Sequence, residues 1–303
     1  MDEPGPRTTL LGKEIADQPA AWRRAIALGI DAPDALAAPG RLALIGCGSS
    51  WHAAKAIAAL REARGIGEAD AFAASEAPLT RDYDRIVAIS RSGTTTEVRQ
   101  ALAALAGRVP VTAIVGDPDS PIAAAADEVI DLSFADDQSV VQSRFVTTVA
   151  CLARAALGED VAALPDAAAA ALAAPLPVDP AELDRAVFLA TGPHVGLADA
   201  AALMLRETAQ MWAESYPAME YRHGPISTAG PGAAVWFLSP PPEGLAAEVA
   251  ATGATAVDAP GDPLPELIRV QRLALAIAEA RGLDPDNPPH LTRAVVLASE
   301  EAR

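Results

Sequence analysis

The segment RLALIGCGSS, residues 41–50, changes character halfway along. RLALIG is a continuous apolar run of the kind found in a strand buried on both faces. It passes into the small polar turn Cys47-Gly48-Ser49-Ser50 and then a helical segment from about Trp51 to Ala63. The same order recurs at once. RIVAI (85–89) reads as a strand, Ser90-Arg91-Ser92-Gly93-Thr94-Thr95-Thr96 as a hydroxyl-rich turn, and Glu97–Ala106 as a helix. Further strands are expected at Val111–Val115 and Val129–Leu132, with a helix after Pro121. A polar loop, Asp136–Arg144, leads to a helix from about Phe145 to Leu157. Strands alternating with helices predict an α/β fold built on a doubly wound parallel sheet.

Upstream, residues 8–30 predict an amphipathic helix with Leu10, Leu11, Ile15, Trp22, Ile26 and Leu28 as its apolar positions. Asp31-Ala32-Pro33 should stop it, because proline disfavours helical geometry in the residue before it. Downstream, an Ala-, Pro- and Asp-rich stretch contains one short apolar helix at 166–174. A second α/β unit then opens with the strand AVFLAT (186–191), with later strands AAVWFLS (233–239) and ATAVDAP (254–260) and a helix over about Leu264–Arg281. The expected organisation is an N-terminal helix (1–40), a first α/β unit (41–160), a linker (161–183), a second unit (184–285) and a tail (286–303).

The segment RETAQMWAESYPAMEYRHGP (206–225) carries the densest chemistry. Met204, Glu207, Met211 and Glu214 follow helical spacing, which predicts one helix through all four, stopped by Pro217. A carboxylate between methionines has its pKa pushed upward, toward the range useful for taking a proton from carbon. Glu220, Arg222 and His223 follow in a short polar run.

Composition narrows the function. The 303 residues carry a formal net charge of −17, which argues against nucleic acid and anionic membrane surfaces as partners. No long apolar run and no export signal are evident, so a soluble cytoplasmic protein is expected. Cys47 and Cys151 lie in no metal-binding spacing, and the four histidines are scattered, so neither metal nor cofactor is expected. In a parallel sheet the ligand lies beyond the carboxyl ends of the strands. The CGSS and SRSGTT turns would meet there, each opening a helix, and together they describe an anion cradle of hydroxyls and amides with Arg91 as the nearby cation.

IGCGSS and ISRSGTTTE, followed by RETAQMWAESYPAMEYRHGP, resemble the sugar isomerase (SIS) domain family. The similarity is greatest to the tandem-SIS isomerase half of glucosamine-6-phosphate synthase and to related hexosamine-phosphate deaminases. GKEIADQPAAWRRAI (12–26) is similar to the helix that opens that half, and PPHLTRAVV (288–296) to its tail. The resemblance implies two tandem flavodoxin-like SIS subdomains, with the tail reaching the active site. No amidotransferase half or N-terminal nucleophile cysteine is evident, so a glutamine-driven synthase is not expected as the full activity. By resemblance, Ser49, Ser50, Ser90, Ser92 and Thr95 hold a 6-phosphate with Arg91 beside them, and Cys47, Gly48, Gln142 and Ser143 are further substrate contacts. Glu207 matches the glutamate that moves the proton at sugar C2. His223 matches a histidine that assists ring opening from the neighbouring subunit of a homodimer, and Glu220 sits in the same loop. Two family lysines are replaced, one by Met204 and one by Arg293. Arginine stays protonated and cannot form an imine with a keto sugar. The expected function is therefore an enzyme on glucosamine 6-phosphate or N-acetylglucosamine 6-phosphate. It would abstract the C2 proton and then lose water from C3 or ammonia from C2. A simple aldose–ketose isomerase and a non-catalytic sugar-phosphate sensor are the alternatives.

Overall fold

The computed structural model describes residues 9–31, 34–78, 80–105, 107–259 and 261–297. Helix and strand ends expected at positions 8, 32–33, 106 and 260, and tail positions 298–303, lie outside the described residues. The first sheet contains β1 (Leu42–Gly46), β2 (Ala69–Ala73), β3 (Arg85–Ser90), β4 (Val111–Val115) and β5 (Glu128–Asp131), in the order β2-β1-β3-β4-β5. The second contains β6 (Arg185–Ala190), β7 (Trp212–Pro217), β8 (Ala233–Phe237) and β9 (Thr255–Asp258), in the order β7-β6-β8-β9. Every pairing is parallel. In each sheet the first strand lies between the second and third. The chain therefore reverses its winding between β1 and β3, and again between β6 and β8, leaving a crevice at each reversal.

Around the sheets stand α1 (Leu10–Asp31), α2 (Asp34–Ala37), α3 (Ser49–Ala63), α4 (Thr96–Leu105), α5 (Pro121–Ala124) and α6 (Arg144–Ala156). The rest are α7 (Leu164–Ala173), α8 (Val195–Ala209), α9 (Leu245–Ala251) and α10 (Pro263–Ala280). The architecture is the α/β fold that the alternating pattern predicts. One expectation fails. The helix carrying Glu207 does not run through Met211 and Glu214, because α8 ends at Ala209 and Gln210 adopts a left-handed conformation with φ 49°. Trp212–Pro217 then pairs with β6 as an edge strand. Pro217 ends that strand and is no helix stop. An edge position tolerates proline, since one side of the strand needs no donor.

The largest core cluster is shared between the two sheets' helices. Leu11, Ile15 and Trp22 of α1 join Cys151 of α6, Leu205 of α8, Ile268 and Leu273 of α10, and Phe188 and Trp236 of the second sheet. Segment 161–183 contributes α7, whose Leu164, Ala168 and Ala171 belong to the same cluster. A buried polar chain stitches these helices. Trp22 Nε1 donates to Thr147 Oγ1 at 3.1 Å, Thr147 to Gln18 Oε1 at 2.7 Å, and Gln18 Nε2 to Gln271 Oε1 at 2.6 Å. Gln271 Nε2 then donates to the Ser143 carbonyl at 3.0 Å. Each link satisfies groups whose burial alone would cost on the order of 1–3 kcal/mol.

Two glycines set the contacts that matter for the site. A Cβ at Gly46 would stand 2.8 Å from the carbonyl carbon of Ser50, so only glycine lets the first turn of α3 fold back on β1. A Cβ at Gly196 would stand 2.5 Å from the His52 carbonyl oxygen and 2.6 Å from the Ala56 nitrogen. Helices α8 and α3 therefore cross backbone to backbone. Beside the crossing, Lys55 pairs with Asp199, and Ser215 of β7 donates to the other oxygen of Asp199 at 2.6 Å. Gly196→Ala is expected to destabilise by about 2 kcal/mol, as overpacking against backbone does. Gly230→Ala, whose nearest atom beyond its chain neighbours would lie 3.5 Å away, should stay within about 0.5 kcal/mol. Urea denaturation of the two variants measures the difference.

Candidate active site

Both hydroxyl-rich turns lie at the reversal between β1 and β3. The parallel register pairs Ile45 with Ala88, so two residues further on Cys47 comes level with Ser90, about one strand spacing (~4.8 Å) away. Gly48, with φ 53°, turns the chain so that α3 begins at Ser49. Ser49 and Ser50 are buried in its first turn.

The second turn is held by its own hydroxyls. Ser90 Oγ accepts from the Gly93 N–H at 3.2 Å and lies 3.5 Å from Thr95 Oγ1. Ser92 Oγ accepts from both the N–H and the hydroxyl of Thr94, at 3.3 and 3.1 Å. Gly93 has φ 64°, and a Cβ there would fall 1.9 Å from Ser120 Oγ. That position is closed to any other residue. The turn is tied to its neighbours by Gly116 N–H to Arg91 O and by Ile122 N–H to Gly93 O, each 3.0 Å.

Arg91 is almost fully buried. Its Nη1 donates to the carbonyls of Asp137 and Ser139 at 3.0 and 2.7 Å, and its Nη2 to the carbonyl of Arg293. Four of its five donors thus sit on nitrogens already engaged with backbone, leaving the buried Nε without a partner among the described residues. Arg293 in turn donates from Nε to Asp137 O at 3.1 Å and forms an ion pair with Asp136. The tail continues across the start of α4. Thr96 N–H donates to Val295 O at 3.1 Å, and Leu297 N–H to Thr96 Oγ1 at 3.0 Å. Residues 293–297 therefore lie against the second serine turn.

Three acidic residues that the sequence reading passed over hold the loop between β5 and α6. Asp137 is fully buried and accepts from the N–H groups of Ser143, Arg144 and Phe145 at 3.0–3.1 Å, capping α6. Burial pushes its pKa up to about 6, reinforced by the charge of Glu14 and opposed by those N–H groups and by Arg91. Glu14, from α1, accepts from the N–H groups of Gln138 and Ser139. Asp136 is the Arg293 partner. Glu14 lies 124 residues from Gln138 in sequence, so no local pattern announces the contact. Asp137 stands seven residues before α6 begins, outside the N-cap position held by Ser143, so no local capping signal marks it either. Within this loop Ser143 is spent on structure, since its Oγ donates to Asp137 at 3.3 Å. The buried Gln142 Oε1 has no donor among the described residues.

Glu207 approaches from the second sheet. Gly196, Asp199 and Leu203 share the face of α8 that meets α3, and Leu203 Cδ2 lies 3.8 Å from where a Gly48 Cβ would sit. Glu207 follows one turn later. No hydrogen bond engages its carboxylate among the described residues. Burial raises its pKa from 4.5 to about 7, against the pull of the Arg206 and Arg91 charges. That Arg91 is felt at Glu207 places the carboxylate within electrostatic reach of the second serine turn. Met204, one turn earlier, is buried, with Thr208 Oγ1 on its sulfur at 3.7 Å.

Glu220 and His223 are not brought to this cluster within the chain. Both are exposed on the short helical turn Ala218–His223 after β7. The buried Tyr221 and the pairing of Arg222 with Glu248 anchor that turn. A different histidine lies nearer. His52, in the first turns of α3, has a buried Nδ1 that is 3.9 Å from Asp199, and burial lowers its pKa to about 4. Cys47 is half-buried, and its thiol is pushed up to about 11 by burial and by Glu97. It contributes no nucleophile near neutral pH. Among the described residues no group of three His, Cys, Asp or Glu side chains converges as a metal site, and no helix is long and apolar enough to cross a membrane.

Residues 35–158 match the SIS domain. That segment of the chain is a SIS domain. The chain is 29% identical over 343 aligned positions to the glutamine–fructose-6-phosphate aminotransferase of Pyrobaculum aerophilum, spanning 94% of this chain and 57% of that relative's length. Among solved structures it is similar to a glucosamine-6-phosphate deaminase of Thermotoga maritima, with a TM-score of 0.83 and 25% identity over 95% of this chain and all of that one. The C-terminal domain of the Francisella tularensis glucosamine–fructose-6-phosphate aminotransferase shares the fold, with a TM-score of 0.80 at 19% identity over 95% of this chain and 100% of that domain.

The raised pKa of Glu207 makes a signed prediction. Between pH 4.5 and about 7 the folded state holds a proton that the unfolded state releases. Folding stability therefore falls as pH rises through that window. Glu207→Gln should raise the melting temperature at pH 8, by at most about 3 kcal/mol of stability, and leave it unchanged near pH 4. Thermal melts at the two pH values read the sign directly.

Proposed function

We propose that this protein is an enzyme acting on an amino-sugar 6-phosphate, abstracting the proton at C2 and then losing water from C3 or ammonia from C2. The single observation that carries the reading is Glu207, an unpartnered carboxyl poised near pH 7 beside two turns rich in buried hydroxyls. Ser49, Ser50, Ser90, Ser92 and Thr95 hold the phosphate through hydroxyl and amide donors. A general base with a pKa near the working pH takes a proton and can later return it. Arg293 stands where the imine-forming lysine of relatives is expected. Its guanidinium is bound to Asp136, so it orients the loop and forms no covalent intermediate. His223, exposed and apart from Glu207 in its own chain, serves ring opening in the site of a second copy, which makes the active unit a homodimer. The names of the relatives, a glutamine–fructose-6-phosphate aminotransferase and a glucosamine-6-phosphate deaminase, support a hexose or hexosamine 6-phosphate as the substrate class.

A second reading, a plain aldose–ketose isomerase, is favoured by the same carboxyl. A group poised near neutrality can hand the proton back at C1 as readily as it takes it from C2. The three outcomes separate on mixing purified protein with glucosamine 6-phosphate and N-acetylglucosamine 6-phosphate. Ammonia marks a deaminase, an ultraviolet-absorbing unsaturated sugar a dehydratase, and a ketose an isomerase. In all three, deuterium at C2 washes into solvent. Glu207→Gln should lower the washout rate at least about 100-fold while substrate affinity stays within a few-fold; comparable loss of affinity would make Glu207 a binding contact. Ser92→Ala should raise KM roughly tenfold, the effect of one lost hydrogen bond to a charged group. Inactive Glu207→Gln and His223→Ala chains, once mixed and exchanged, should recover part of the activity in hybrid dimers.

A further inference from the structure

We propose that the small cavity beside Met204 seats the methyl of an N-acetyl group on C2 of the substrate, with Gln142 Oε1 accepting the amide N–H. The proposal rests on Glu207 being the base at C2. Helix α8 advances about 100° per residue, which puts Glu207 about 40° from Leu203 and about 60° from Met204 around the axis. Leu203 faces the Gly48 turn, and Met204 faces the cavity. The Glu207 stripe therefore runs between the anion cradle and the cavity. A sugar anchored by its phosphate, with C2 at Glu207, directs its C2 substituent toward Met204.

The cavity lies between α6, α8 and α10, walled by Val146, Ala200, Ala201, Met204 and Val270, with Gln142 and Gln271 as its polar lining. About 10 Å³ is open to the centre of a water-sized sphere, room for one group of methyl or water size. A water there is poorly served. Both ends of Gln271 are taken, by Gln18 and by the Ser143 carbonyl, and the Met204 sulfur accepts from Thr208. Among the described residues lining the cavity, Gln142 Oε1 is the buried polar atom left without a partner, whereas a buried water needs two to four. A free ammonium would lose its hydration against apolar walls with no carboxylate among them. The methyl of an acetamido group fits the space, packed against alanine and valine, while its N–H at the cavity mouth meets the orphaned Gln142 oxygen.

The consequence reaches the chemistry. An amide nitrogen cannot become the ketimine that hydrolysis would release as ammonia, so the path left for group loss is dehydration. Glu207 takes the C2 proton, the C–H electron pair becomes the C2–C3 double bond, and the C3 hydroxyl leaves as water carrying that proton.

The test compares deuterium washout from C2 of N-acetylglucosamine 6-phosphate and glucosamine 6-phosphate. The N-acetyl sugar should exchange with at least tenfold higher kcat/KM. Ala200→Leu, which fills the cavity, and Gln142→Leu, which removes the acceptor, should each cut that preference about tenfold. An N-butanoyl sugar, too long for the space, should fall behind N-acetyl by a similar factor. Equal or better exchange from glucosamine 6-phosphate overturns the proposal while leaving Glu207 as the C2 base. A preference unchanged in Gln142→Leu and Ala200→Leu overturns it as well. Exchange from neither sugar overturns both the proposal and the base assignment. If Ala200→Leu does not fold, calorimetric binding of the two sugars to Glu207→Gln and to the Gln142→Leu, Glu207→Gln double variant gives the same comparison.

Discussion

The site depends on one contact, the crossing of α8 over α3. The serine turns belong to the first sheet and Glu207 to a helix of the second, so nothing in either unit alone brings carboxylate and anion cradle together. Gly196 lets the two backbones touch at His52 and Ala56. Leu203 then sets α8 against the Gly48 turn, and Glu207 follows on the same stripe. Beside the crossing, Asp199 is held by Lys55 from α3 and by Ser215 from β7. The ion pair is half-buried, so its charges are screened less than a surface pair's would be. It resists sliding of one helix along the other more than it adds to stability.

The parts legible in the sequence are those whose burial is uniform. Strands β1, β3, β4, β6 and β8 are continuous apolar runs, and their positions agree with the expectation to within a residue or two. Strand β2, ADAFA, carries two faces of intermediate exposure and no β-branched residue, so it gave neither alternation nor propensity to read. Strand β7 was concealed by coincidence. Met204, Glu207, Met211 and Glu214 are spaced as one helix face, yet the left-handed Gln210 divides them between a helix and an edge strand. Hydrophobic spacing registers neighbours along the chain, and only pairing with β6 decides what Trp212–Pro217 becomes.

At the site, the division follows chain distance. The hydroxyl turns were legible because each sits at a local junction of strand, turn and helix, whereas Glu207 was singled out by its methionine neighbours and by resemblance, and the junction after it was missed. The loop at 136–143 was read as polar, with Gln142 and Ser143 marked by resemblance alone. What shapes it comes from far away: Glu14 from α1, Arg91 from the serine turn and Arg293 from the tail. These contacts put three separated segments on one loop, so the geometry around Gln142 reflects the assembled fold rather than its own sequence.

The base strength of Glu207 has the same origin. A chain of net charge −17 would be expected to aim its few cations at an anionic ligand. Here the buried arginines serve carbonyl groups instead. Arg61 donates to the carbonyls of Leu36, Ala38 and Gly40, and the half-buried Arg272 likewise donates to those of Ala171 and Ala174. Arg91 follows the same rule with the 137–139 backbone and the tail. With its Nη groups committed, Arg91 reaches Glu207 only as a charge at a distance, too weak to offset desolvation of the carboxylate. Were Arg91 to bind Glu207 directly, the carboxyl would stay ionised well below neutrality and be a poor base. Hydroxyls and amides are left as the donors of the proposed phosphate site, and without a cation on it the carboxyl stays near pH 7.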